Sequence, residues 1–107
     1  MGVRQREDWW EYTKRIIRSY PALERKQKAG KELTAHEQRR LDVVSWALEE
    51  IQRMPGGRAR REIIQRVYFD NSHTLYGAAL LVPIGEATAK RWNAEFIRLL
   101  AKKFDFP

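Results

Sequence analysis

The chain has 107 residues, with 21 Lys plus Arg against 14 Asp plus Glu, a net charge of +7 and a pI near 10.1. That length bounds it to one domain with a modest core, and the cationic surplus favours polyanionic partners. The absence of cysteine excludes a disulfide framework and a thiolate zinc site, and no apolar run approaches the length needed to span a bilayer.

The charge is not concentrated in one half. Residues 1–57 carry 12 basic and 9 acidic groups, and residues 58–107 carry 9 and 5. Local arrangement must therefore decide what the surplus does. The first residues hold no apolar stretch of the signal-peptide kind, so a cytoplasmic protein is the expectation.

Asp8 is placed to cap a first helix, with Trp9, Tyr12, Ile16 and Tyr20 at spacings of three and four on one face and Pro21 just beyond its end. The stretch from Ala22 to Leu33 is charged, is interrupted by Gly30, and is expected to be helical only in part. Thr34 and Glu37 then form a capping box, each side chain satisfying a free backbone N–H at a helix start. The helix they open carries Leu41, Val44, Leu48 and Ile51 as an apolar seam. Val43 and Trp46 lie off that seam, so apolar contacts are expected on more than one side.

Met54-Pro55-Gly56-Gly57 is the strongest break in the chain. It divides an N-terminal helical hairpin, residues 1–54, from a second unit over residues 58–107 within an all-α chain. Arg58 to Phe69 reads as a helix with Ile63, Ile64, Val67 and Tyr68 inward and Arg58, Arg60, Arg61 and Arg66 largely outward. Asp70-Asn71-Ser72 turns the chain.

Thr74 to Trp92 then reads as a helix-turn-helix. Two helices crossing steeply must meet at small residues, break at a tight turn and bury apolar groups on both sides of it. Ala78 and Ala79 supply the close contact, Val82 ends the first helix inward, Pro83-Ile84-Gly85 turns with Ile84 as the plug, and Ala89 and Trp92 form the inner face of the second helix. Thr74 caps the first helix, and Gly85 stands at the cap of the second. The 3.6-residue period leaves Glu86, Ala87, Lys90, Arg91 and Ala94 outward, with Thr88 beside them. Such a face suits a DNA major groove. Lys and Arg donate to guanine O6 and N7 or to phosphate, small Ala residues allow close approach, and Glu accepts from a cytosine amino group. Arg58, Arg60, Arg61, His73 and Arg98 are candidate phosphate contacts, and the backbone N–H groups near Thr74 are favoured over those at Glu86, whose own charge opposes an anion.

The last helix continues with Phe96, Ile97, Leu99, Leu100 and Phe104, a stripe wide enough for a core shared with the N-terminal hairpin or for a homodimer contact. Catalysis is not expected. His36 and His73 have no ligand spacing for a metal, the adjacent Glu49 and Glu50 diverge on a helix, and the Gly56-Gly57 break lacks the Lys-Ser/Thr of a nucleotide loop. No cofactor is expected.

The order of WWEYTKRIIRSYP, a central helix, a helix ending in VYFDN, and a helix-turn-helix running into KRWNAEFIRLLAKKF resembles the phage transcriptional regulators of the RinA and ArpU type. Their C-terminal half is similar to region four of bacterial sigma-70 factors. The resemblance covers most of the chain in layout and residues 58–104 in motif. Gly85 stands where a Ser or similar cap is usual, and Pro83 where Gly is common. The resemblance implies a bacteriophage or prophage activator of late or packaging genes that binds double-stranded promoter DNA in a bacterial host, reading the groove from Glu86 onward. Two other readings stay open. One is a DNA-packaging component such as a small terminase subunit, which would assemble into a ring; the other is an adaptor for RNA polymerase or a sigma factor.

Overall fold

The computed structural model describes residues 2–106, with side chains from Trp9 to Phe106. The fold is all-α: α1 (Gly2–Lys28), α2 (Ala35–Arg53), α3 (Gly57–Ile64) continuing into a π-helical turn (Gln65–Phe69), α4 (Leu75–Leu81) and α5 (Glu86–Lys103).

α1 departs from expectation at both ends. It begins at Gly2, so Asp8 lies inside it rather than at its cap, and it runs through Pro21 to Lys28. A proline in a helix interior removes one backbone bond and crowds the preceding turn, a cost of about 3 kcal/mol. Contacts on both sides of Pro21 offset it. Leu23 is buried, the Tyr20 ring stacks on Phe69 at 5.2 Å, and the Lys26 ammonium reaches the Glu37 carboxylate at 3.1 Å. The helix stops in a Schellman motif, with Gly30 left-handed at φ 75° and the Lys31 N–H donating to the Lys26 carbonyl at 3.1 Å. The inward face is also rotated from the expected one. Thr13, Ile16 and Ile17 are buried, and the Thr13 hydroxyl is satisfied by donating to the Trp9 carbonyl at 2.6 Å. Tyr12 is 42% exposed and meets the Phe106 ring at a tilt at the margin.

α2 opens on the capping box expected for it. The Glu37 N–H donates to the Thr34 hydroxyl at 3.1 Å, and the Thr34 N–H donates to the Glu37 carboxylate at 2.9 Å. Leu41, Val44, Leu48 and Ile51 are buried, and so is Val43 off the seam. Trp46 is half-buried with the Lys103 ammonium 4.7 Å from its ring centre.

Between α2 and α3 Gly56 takes the left-handed conformation, φ 74°. The helix expected over Arg58 to Phe69 forms in two geometries, because the Asp70 N–H reaches back five residues to the Gln65 carbonyl at 2.8 Å. Ile63, Ile64, Val67 and Tyr68 are all buried.

One hydrophobic cluster draws on all five helices: Ile16 and Ile17; Val43, Val44, Ala47, Leu48 and Ile51; Ile63, Ile64, Val67 and Tyr68; Ala78 and Val82; and Phe96, Ile97 and Leu100. The hairpin and the helix-turn-helix unit thus share a core within one chain. α5 runs through it, touching α1, α2, α3 and α4. The α5 stripe is occupied by this packing, with Phe96, Ile97 and Leu100 buried and Leu99 and Phe104 packed against the cluster.

Candidate nucleic-acid interface

The segment α4–turn–α5 is built as the crossing argument requires. Ala78, Ala79, Val82 and Ala89 are buried where the two helices meet, and Ile84 is half-buried against the core from the turn. The Gly77 N–H donates to the Thr74 hydroxyl at 3.1 Å, which caps α4. Gly85 stands at the start of α5 with extended backbone and no side-chain cap.

On α5 the side chains of Glu86, Ala87, Lys90 and Arg91 are exposed, while Thr88 and Ala94 are half-buried. Lys90 lies 3.4 Å from Glu86 and Arg91 lies 3.8 Å from Glu95, and the two cations are 68% and 64% exposed. Helix-surface pairs of this kind contribute about 0.3–0.5 kcal/mol. A base contact is worth about 1–3 kcal/mol, so these pairs do not hold the cations back from a nucleic acid.

The candidate phosphate contacts separate into distinct environments. Arg60 is not outward as expected. Its side chain is 11% exposed, its guanidinium meets Glu95 at 2.7 Å and the Pro55 carbonyl at 3.0 Å, and it lies over the Trp92 ring at 4.8 Å. Arg60 therefore clamps α3 to α5. Arg61 donates to Gln52 at 2.6 Å and lines a hollow with Tyr20, Glu24 and Asp70, on the side of α3 that faces α1 and α2. Arg58 is exposed beside Leu81, Val82 and Pro83, next to the turn. Arg98 is exposed on the outer face of α5 with its guanidinium 5.7 Å from the Trp10 ring centre, which places α1 along the border of that face.

His73 and Thr74 line a cleft of about 340 Å³ together with Asn71, Leu75, Asn93, Lys14 and Arg18. Lys14 and Arg18 come from α1, and nothing in the spacing of the sequence links them to residues sixty positions away. Burial pushes the Tyr68 hydroxyl at the floor of this cleft up to about 12, with Arg18 opposing. That hydroxyl donates to the Asn93 side-chain oxygen, tying the floor to α5.

Sequence reasoning also did not foresee the outer face of α4. Tyr76, Leu80 and Leu81 are 56%, 65% and 53% exposed, and α4 contains no charged residue.

No helix among the described residues is long and apolar enough to cross a membrane, and no group of His, Cys, Asp or Glu among them is arranged to hold a metal ion. No family model, curated protein or solved structure matches the chain.

Proposed function

We propose that the chain is a sequence-specific double-stranded DNA-binding protein that reads the major groove with the outer face of α5. The observation that carries this reading is the pairing of a tightly packed Ala78/Ala79/Ala89 crossing with the exposed set Glu86, Ala87, Lys90 and Arg91 on the second helix. The small residues let α4 brace α5 without covering its outer face, and Ala87, one turn before Lys90 and Arg91, leaves room for a base edge beside them. The net charge of +7 supplies the general attraction to a polyanion. Within this reading the resemblance to phage regulators makes the role transcriptional, as an activator of late or packaging genes acting without a cofactor in the bacterial cytoplasm.

Replacing Lys90→Ala with Arg91→Ala tests it. Both side chains are exposed, so the fold is expected to persist while specific affinity for the cognate duplex falls by about 1–3 kcal/mol for each base-reading group. Unchanged affinity in a folded variant would reject α5 as the reading helix.

A second reading, an adaptor for RNA polymerase or a sigma factor, is favoured by the uncharged, exposed face of Tyr76, Leu80 and Leu81. Large exposed apolar side chains on one short helix are characteristic of protein contacts. This reading predicts that Leu80→Ser with Leu81→Ser abolishes transcriptional activity while Lys90→Ala with Arg91→Ala leaves it intact.

A further inference from the structure

The proposed DNA reading assigns contacts to the helix-turn-helix unit alone. The cleft beside it is built by two distant parts of the chain. Trp10, Lys14 and Arg18 recur at intervals of four on α1, which sets them in one stripe along that helix. The stripe follows the flank of the helix-turn-helix unit. Trp10 meets Arg98 of α5, and Lys14 and Arg18 share the cleft with His73, Thr74 and Asn93.

Lys90 stands three residues before Asn93 and so lies on the same flank of α5. Arg98, Lys14, Arg18 and His73 therefore continue the basic surface of α5 round to the start of α4. Among the described residues no acidic side chain lines the cleft, and the acid acting on its floor is Glu11 of α1, whose charge opposes that of Arg18 at the Tyr68 hydroxyl. Arg18 makes no ion pair among the described residues; its guanidinium rests 5.3 Å from the Tyr68 ring centre, which fixes its position without neutralising its charge. Lys14 has one weak partner, Glu11 at 3.5 Å, whose carboxylate is largely exposed. The Ser72 hydroxyl and His73 Nδ1 lie 2.7 Å apart and hold the imidazole ring in place.

We propose that this cleft binds a phosphate group of the DNA backbone flanking the site read by α5, with Lys14 and Arg18 as its cations and His73 and Thr74 opposite them. α1 is then part of the DNA footprint. The inference rests on the proposed DNA-binding reading, and it adds two cations on one phosphate from a helix that has no place in a helix-turn-helix. A phosphate contact carries no sequence information, so its signature is salt dependence, with each neutralised phosphate adding about 0.9 to the slope of log affinity against log salt.

The test is the salt dependence of duplex binding for the full chain, on its selected DNA and on an unrelated duplex. Lys14→Ala with Arg18→Ala is expected to lower the slope by about 0.9, the share of that one phosphate, and to weaken both duplexes to the same extent. Arg15→Ala with Lys28→Ala removes the same charge from α1 outside the cleft and is expected to change the slope far less. Arg18→Lys keeps the cation and is expected to retain the slope. A normal slope in the Lys14/Arg18 variant, or an equal loss in the control pair, overturns the cleft while leaving the DNA reading intact. Absence of salt-dependent duplex binding by the unmodified protein rejects the DNA reading, and the cleft with it. Inorganic phosphate, titrated at constant ionic strength and followed by the His73 ring resonances, separates the two sources of the anion. Saturation at submillimolar phosphate would make this a site for the free ion and overturn the backbone assignment.

Discussion

Gly57 sits where α2 hands over to α3, and a Cβ added there would stand 2.0 Å from the Gln52 carbonyl oxygen. That neighbour is backbone and cannot rotate away. Gly57→Ala is therefore expected to destabilise the protein by about 2–3 kcal/mol. Thermal unfolding should register this as a drop of roughly 10–20 °C, and an unchanged midpoint would contradict the close approach. Gly56, one residue earlier, is needed for another reason, its left-handed backbone. The sequence marks both glycines as a break without distinguishing the two demands. Arg60 shows the opposite difficulty. Its charge and helical spacing imply a solvated side chain, but Glu95 and the face of Trp92, both over thirty residues later, enclose it. A long cationic side chain buries its stem where it finds apolar surface, here beside Trp92 with Glu95 meeting the head, and a single helix period cannot reveal those partners.

At the scale of the element, the capping box of α2 is legible in the sequence because Thr34 and Glu37 satisfy each other across three residues. Thr34→Ala is expected to lower the unfolding free energy by about 1 kcal/mol, measured by urea denaturation at neutral pH. The Thr34 N–H, with the Lys26 ammonium, holds the Glu37 carboxyl below the usual carboxylate range. A depressed folded value means that this contribution is present above the ordinary carboxylate pKa and is lost as pH falls through the lowered one. The helix that passes Pro21 was not legible, because what sustains it is tertiary. Phe69 receives the Tyr20 ring, the core receives Leu23, and α2 supplies Glu37 for Lys26. The widened turn over Gln65–Phe69 likewise has no local signature. α4 and the turn into α5 were legible residue by residue, since Thr74 satisfies a free N–H at the helix start and Ala78, Ala79, Val82 and Ala89 each answer a steric requirement of the crossing.

For the whole molecule, the consequence of the shared core is that α1 and α2 brace α5 directly instead of hanging from a linker. Bracing along the length of α5 fixes the direction in which Ala87, Lys90 and Arg91 project, and a pre-positioned helix loses less entropy on docking. It also brings Lys14 and Arg18 beside His73, an adjacency that depends on the three-dimensional path of α1. The exposed apolar residues of α4 remain outside this core. The central claim is that the outer face of α5 reads a DNA sequence. Its most direct test is a binding selection in which the protein, at physiological salt and with excess nonspecific competitor, chooses among duplex fragments of the genome that encodes it. Enrichment of one or a few promoter-proximal fragments, lost in the Lys90→Ala with Arg91→Ala variant, is the predicted result. Weak binding spread evenly over all fragments would contradict the claim and would make the outer face of α5 a surface for protein.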